Sequence, residues 1–297
     1  MRSLPEGRMP RRMEPVSAIP DPAEAVLSET GSDSGSAPGD GVELFLWLRA
    51  ASDPRLAIES ALRAAGGGLV WSARAERLVI GEGELHWTHA ALARGPSERG
   101  ILEVLHRSAR SAGLLELTSR RFHRQRLPTR ARVLLRLLRF IGRWRRPAPP
   151  DASMLELPPG LAPSPLNPPI ERMREIAGDR SPAAAFMINL LAYRERAEYP
   201  EGSGRSASSG RAAYQRYGVV AARSVALLGG AIAHIGRLER GLGDPVGLAT
   251  SGGWDELVIV RYPRPSSLVQ LDRMPGYARA LAHRNAGLAR TALVISR

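Results

Sequence analysis

Hydrophobic and polar positions change period along the chain, and the changes mark out elements. Ala185–Tyr193 (AFMINLLAY) is an apolar run of strand length, and Ser209 stands where it can cap a helix through Gly210–Leu228 that Gly229 and Gly230 stop. Ala231–Glu239 follows as a second strand and Trp254–Tyr262 (WDELVIVRY) as a third, with the Val and Ile that suit a pleated surface. Pro263 and Pro265 end it, and Ser266 or Ser267 opens a helix that Pro275 divides before it resumes through Ala286. Ala292–Ser296 supplies the closing strand. The order strand–helix–strand–strand–helix–strand predicts an α+β unit of the ferredoxin-like kind, two right-handed βαβ crossovers interlocked in one antiparallel sheet.

The same order recurs upstream, over Val42–Arg49, Asp53–Ala65, Leu69–Ala75, Trp87–Ala93, Ser97–Ala112 and Leu114–Phe122. Trp87, Arg94 and Pro96 repeat the spacing of Trp254, Arg261 and Pro263, while Gly66-Gly67, Arg74 and Glu76 repeat that of Gly229-Gly230, Arg237 and Glu239. An internal duplication follows. Residues 42–127 are expected to be a divergent copy of the C-terminal unit over 170–297, which a short helix (IERMREIAGD) leads into. Residues 1–40 read as an unordered tail rich in Pro, Gly, Ser and charge, and the proline-rich stretch 147–169 as a linker.

Composition changes the picture at three points. With 43% hydrophobic and 24% charged residues in 297, the chain can bury the cores of two ordinary domains. There is no cysteine, which removes disulfides, thiolate nucleophiles and cysteine–metal sites, and cytoplasm is the default location. No apolar run approaches the roughly 20 residues that span a bilayer, and the first residues lack the apolar segment of a secretory signal. The formal charge of +13 points toward anionic partners, yet every basic residue is Arg and none is Lys, a bias that compositional drift also produces. No recognition motif accompanies the charge, so nucleic acid is disfavoured. Glycine-rich stretches lack the strand-to-helix setting of a nucleotide loop and no close-spaced metal-ligand set occurs, so neither cofactor nor metal is expected.

Met187-Ile188-Asn189-Leu190-Leu191, Ser209-Gly210-Arg211-Ala212-Ala213-Tyr214 with Tyr217, Gly229-Gly230, Trp254-Asp255, Arg261-Tyr262-Pro263 and Pro275-Gly276-Tyr277 together resemble the domain-of-unknown-function family 1330, over about residues 183–297. That family belongs to the dimeric α/β-barrel superfamily. The N-terminal copy departs from it, with Thr88 where Asp255 stands and no counterpart of the tyrosines. The resemblance implies a sheet that pairs with a second such sheet to close a barrel. Here the two copies can pair within one chain, and self-association of the C-terminal copy is the other arrangement. Related barrels include cofactor-independent oxygenases, isomerases and plain binding proteins, so the fold alone leaves open whether the chain is an enzyme.

A small-molecule site is expected on the sheet face turned into such a barrel, between the two copies. Strand parity nominates Asn189, His234 and the Trp254, Glu256 and Tyr262 set, and the repeat spacing sets Trp47 against Asn189, Trp71 against His234 and His89 against Glu256. His234 is the candidate base, Glu256 its orienting carboxylate and Asn189 a donor to a carbonyl or oxyanion. The tryptophans are walls for an aromatic or carbonyl-containing ligand, with Asp255 at the rim. Each also reads as structure: a hydrogen-bonded histidine, a loop-capping aspartate, packed indoles, and Tyr214 and Tyr217 as one core-facing helical pair.

The other reading is an interaction protein. In Thr129–Arg146 (TRARVLLRLLRFIGRWRR), Val133, Leu134, Leu137, Leu138, Ile141 and Trp144 form an apolar stripe, and Arg132, Arg136, Arg139, Arg143 and Arg146 a basic one. The pattern suits a helix on an anionic membrane surface, and it equally suits a helix whose apolar stripe docks on the protein's own barrel with arginine stems covering the rim.

Overall fold

The structure, a computed structural model, describes residues 41–81, 83–144, 152, 164–203, 208–239 and 253–297. The tail over 1–40 and the linker up to residue 163, residue 152 excepted, lie outside the described residues. The first copy runs β1 (Val42–Ala50), α1 (Arg55–Ala64), β2 (Gly68–Ile80), β3 (His89–Gly95), α2 (Glu98–Ser108) and β4 (Leu114–Arg124). After α3 (Thr129–Trp144) and α4 (Ile170–Gly178), the second copy runs β5 (Ala185–Tyr193), α5 (Gly210–Leu227), β6 (Ala231–Leu238), β7 (Glu256–Tyr262), a 3-10 helix (Pro265–Arg273), α6 (Tyr277–Gly287) and β8 (Leu288–Ser296).

The local chemistry behind these elements is the chemistry the sequence signals. Ser97 and Ser209 accept hydrogen bonds from the Gly100 and Ala212 backbone N–H groups at 3.0 and 3.2 Å, capping α2 and α5. Gly66 and Gly229, equivalent in the repeat, both take left-handed φ (74° and 77°) just past a helix end, where a side chain is strained. Pro275 does divide the last helical stretch, but its first half is a 3-10 helix, consistent with the two prolines around Arg264.

Each copy forms a four-stranded antiparallel sheet, and the two sheets close on each other in the order β1-β3-β2-β8-β5-β7-β6-β4. The α+β pseudo-dimeric barrel therefore exists within one chain. Its two seams are the edge of one copy on the edge of the other: β2 pairs β8 over four register positions, and β4 pairs β6 over three, Phe122↔Leu238, His123↔Arg237 and Arg124↔Gly236. Closure leaves neither sheet with an exposed edge, which is the usual reason such sheets pair.

Strand alternation sorts the side chains into layers. Phe45, Trp47, Trp87, Leu92, Phe122, Ile188, Leu190, Trp254, Leu257, Ile259 and Val294 fill the barrel interior. On the outer face of the first copy, Leu44, Leu46 and Leu48 meet Ile58, Leu62, Ile101 and Leu105 from α1 and α2. On the outer face of the second, Met187, Leu191, Val258, Val260 and Tyr262 meet Tyr217, Val225, Tyr277 and Leu281 from α5 and α6, with Met173 and Ile176 of α4 continuing the layer.

Helix α3 docks on α5 through the arc of Ala131, Leu135, Leu138 and Gly142, which shares only Leu138 with the predicted stripe. Ala131 and Gly142 are buried, and a Cβ on Gly142 would lie 2.2 Å from the Leu227 carbonyl oxygen, so the helix backbones touch there. Arg139 Nε donates to the Gly229 carbonyl at 3.3 Å, placing a cation at the carbonyl end of α5. The expectation that the apolar stripe packs on the barrel is thus corrected: small residues permit the docking, and of the stripe only Leu138 turns toward α5 while Val133, Leu134, Leu137, Ile141 and Trp144 are exposed.

Candidate functional site

The barrel interior is packed rather than hollow, so the expected position of a pocket in the middle of the barrel is corrected as well. The cavity lies outside the sheet of the second copy, between the helix-facing side of β5, β7 and β6 and the helices that cover it. Its volume is about 240 Å³. Most of the wall is aliphatic, from Met187, Val258, Val260, Ile232, Ile235 and Val225. Gln125, Arg126 and Leu127, just past β4, reach across from the first copy to rim it, fixed by the Gln125 N–H donating to the Ile235 carbonyl at 2.8 Å.

The polar groups of the wall gather in two places, at Arg211 with Glu256 and at Arg284, whose Nη1 donates to Asn167 Oδ1 at 3.1 Å. At one, Arg211 Nη1 on the first turn of α5 lies 3.1 Å from Glu256 Oε2, and the same guanidinium sits over the Tyr193 ring at 4.8 Å. Burial pushes the Glu256 carboxyl above the usual carboxylate range, with Arg211 and the Tyr193 hydroxyl pulling the other way. From there four tyrosine rings run in succession: Tyr193 to Tyr214 at 5.4 Å, Tyr214 to Tyr217 at 5.3 Å and Tyr217 to Tyr277 at 5.8 Å. The Tyr217 and Tyr277 hydroxyls share a hydrogen bond of 2.9 Å. Burial raises the phenols of Tyr193, Tyr214, Tyr262 and Tyr277, so all four stay protonated donors.

Asn189 lines the same cavity. Its Nδ2 donates to the Met187 and Val258 carbonyls at 3.1 and 3.0 Å, so both amide hydrogens are engaged by backbone and Oδ1 is the atom left for other contacts. Asn189 is therefore an acceptor toward the cavity, not the donor predicted for it. Tyr262, also predicted, is buried in the wall beside it.

His234 is elsewhere. The β6–β7 register shifts between Ile232 and His234, and the shift pairs His234 with Ile259, whose side chain points into the barrel. His234 and Glu256 consequently lie on opposite faces of the sheet, and the predicted base and orienting carboxylate do not meet. His234 instead belongs to a charged cluster at the barrel mouth. Buried Glu43 accepts from Arg94 Nε at 2.9 Å and from Arg124 Nε at 3.0 Å, and Arg124 Nη1 lies 2.8 Å from His234 Nδ1. Burial first, then the Arg124 charge, lowers the His234 pKa to about 4, so the ring is neutral near pH 7 and accepts the guanidinium N–H at Nδ1. Trp71 flanks it, its ring centroid 6.2 Å from the imidazole and 5.6 Å from Phe186. The pairing of Trp71 with His234 by repeat spacing therefore places both residues at one barrel mouth.

The remaining predicted residues separate by role. Trp47 is packed edge-on to Phe45 at 5.3 Å inside the barrel, and the strand registers make it the counterpart of Leu190, one residue off the predicted Asn189. His89 opens β3 as Glu256 opens β7, on the corresponding outer face, where it is buried beside Thr88 Oγ1 at 2.9 Å and 3.9 Å from Asp53. Burial lowers its pKa while the Asp53 charge opposes the shift. It lies in the first copy, away from the cavity. Trp254 precedes β7 and turns into the barrel under the Arg290 guanidinium at 4.6 Å, so it does not share a face with Glu256. Asp255 Oδ2 accepts the Tyr193 N–H at 2.8 Å and ties the entry of β7 to the end of β5. Arg132, Arg136 and Arg143 lie on the exposed flank of α3 and do not line the cavity, and Arg139 is half-buried against α5.

Among the described residues no three metal-ligating side chains converge, and no helix is long and apolar enough to cross a membrane. No family model and no curated protein matches the chain. Among solved structures it is similar to a protein of unknown function from Rhodopseudomonas palustris, with 28% identity over 44% of this chain and 93% of that one, at a TM-score of 0.38. It is also similar to a mutant chlorite dismutase from Candidatus Nitrospira defluvii, with 11% identity over 87% and 92% of the two chains and a TM-score of 0.41. A DypB variant from Rhodococcus jostii in complex with heme aligns at 12% identity over 88% and 94%, with a TM-score of 0.33.

Proposed function

We propose that the chain binds one small, mostly apolar molecule in the cavity between the second sheet and α5, with an aromatic or carbonyl-bearing part against the tyrosines. The observation that carries this reading is the wall itself, where an aliphatic sheet face opposes tyrosine rings and the buried polar groups are few, chiefly the Arg211–Glu256 pair and Arg284 with Asn167. An aliphatic wall holds apolar surface by removing it from water, and a few fixed polar groups orient what enters. Glu256, raised by burial and held by Arg211, is the group placed to exchange a proton with a bound carbonyl compound, as an isomerase or a cofactor-independent oxygenase requires. Asn189 Oδ1 and the tyrosine hydroxyls orient the polar end. The motif residues of the C-terminal copy, Arg211, Tyr214, Tyr217, Tyr262 and Tyr277 among them, fall on this wall, which supports reading that copy as a 1330-type unit with its own site.

Gly218 provides the test. It lines the cavity from α5, and a Cβ built there meets nothing within 4 Å. Gly218→Leu therefore inserts a side chain at the wall without a backbone clash. Native mass spectrometry of the intact chain, purified from its own host, is expected to show one bound small molecule, absent from Gly218→Leu. Titration with the amphiphilic anionic fluorophore anilinonaphthalene sulfonate is expected to lose at least tenfold in affinity in the same variant. Equal binding by both proteins would overturn the reading. Glu256→Gln should keep the ligand and lose any turnover.

A further inference from the structure

Helix α3 has three faces when its residues are laid out at about 100° each. Ala131, Leu135, Leu138 and Gly142 form the face against α5, with Ala131 and Gly142 buried. Arg132, Arg136, Arg139 and Arg143 form the second. Val133, Leu137, Phe140, Ile141 and Trp144 form the third, and that face is open: Val133 is 59% exposed, Leu137 56%, Phe140 59% and Trp144 80%. Isolated exposed hydrophobic residues are ordinary, but two aromatic and several aliphatic side chains on one helical arc are not.

We propose that this face of α3 lies on the surface of an anionic lipid bilayer. The charge beside it selects that occupant. The helix carries no acidic residue, its arginine row borders the apolar arc along its whole length, and Arg145 and Arg146 follow it in the sequence. None of Arg132, Arg136 and Arg143 has a carboxylate partner among the described residues, whereas Arg49, Arg94, Arg121, Arg124 and Arg211 all do. A helix lying in the interface buries its apolar arc at the boundary of headgroups and acyl chains, with arginines at the phosphates and Trp at interfacial depth. The docked face leaves the helix anchored to α5 while the other two meet the bilayer, so binding requires no rearrangement of the barrel.

The experiment is flotation of the full chain with vesicles of phosphatidylcholine alone and of phosphatidylcholine mixed with phosphatidylglycerol. Binding is expected to the mixed vesicles only, weakening as salt screens the arginines, with a blue shift of Trp fluorescence that Trp144→Phe removes. Arg136→Glu with Arg143→Glu should weaken partition at least about tenfold, since each basic residue near an anionic surface contributes measurably. Leu137→Ser with Phe140→Ser, both at exposed positions, should abolish it while circular dichroism stays unchanged. Absence of binding, equal binding to neutral vesicles, or wild-type binding by the serine variant would overturn the proposal. Concentration-dependent dimerisation in sedimentation, lost in the serine variant, would instead give the face to a second copy.

Discussion

His234 shows how one residue's surroundings become a property of the whole fold. Its imidazole is held neutral at the barrel mouth, with a pKa near 4 against an ordinary value of 6.5. Between those values the unfolded chain binds a proton that the folded chain refuses, so the contribution to stability is present above about pH 6.5 and is lost as pH falls toward 4. The loss is on the order of 2 kcal/mol once partial exposure is allowed for. His234→Gln should therefore flatten the acid side of a stability profile measured by urea denaturation at successive pH values. Glu256 works in the opposite sense, because its raised carboxyl favours the fold at low pH and loses that advantage as pH rises through its folded value. Residue identity was readable at both positions; their environment was not. The sequence nominates His234 and Glu256 together because strict alternation puts them on one face, and the register shift in β6 reverses one of them. Asn189 fails differently, since the donor capacity inferred for it is taken up by the Met187 and Val258 carbonyls, a fact that depends on strand pairing.

At the scale of elements, their order and several of their limits are legible, although β8 begins at Leu288, four residues before the predicted Ala292. β5 has the span its apolar run predicts, α5 begins at its serine cap, and the glycines at 66 and 229 end their helices alike. β2 runs five residues past the predicted Ala75, because its distal half pairs with the other copy across the seam, and no local period encodes a partner so far away in sequence. The faces of α3 were misassigned for a related reason. Two apolar arcs run along this helix, and only the close approach at Gly142 determines which one docks. Gly142→Leu forces a Cβ against the Leu227 carbonyl and should lift the C-terminal turns of α3 from α5. The expected cost is about 1–3 kcal/mol, the usual range for overpacking. Hydrogen exchange should accelerate in α3 and at the end of α5, while β5 and β7 keep their protection; unchanged exchange in α3 would contradict the docking described.

For the whole molecule, the two seams decide whether two half-barrels behave as one body. The β4–β6 seam is short and depends on Gly236, where a Cβ would lie 2.4 Å from the His123 carbonyl oxygen and 2.5 Å from the Phe122 ring. Gly236→Val should cost about 3 kcal/mol and lower the urea midpoint, and combined with Phe122→Ala the total loss should be smaller than the sum of the two single losses, because the ring half of the clash is then absent. Additive losses would show that the ring does not press on this position. Internal repeat spacing revealed the duplication, and with it the barrel, but not the cavity. A void between a sheet and its helices is set by the thickness of the layer between them, here tyrosines and an 18-residue α5 in one copy against leucines and a 10-residue α1 in the other.

Joining the two sheets in a single chain also changes what a mutation can do. In a barrel assembled from two identical chains every substitution appears twice, related by the twofold axis, and a change that suits one side is imposed on the other. Here each half answers only for itself. The cavity described above lies against the second copy, so the two halves of the molecule differ, and a ligand held there as proposed would saturate at one per chain.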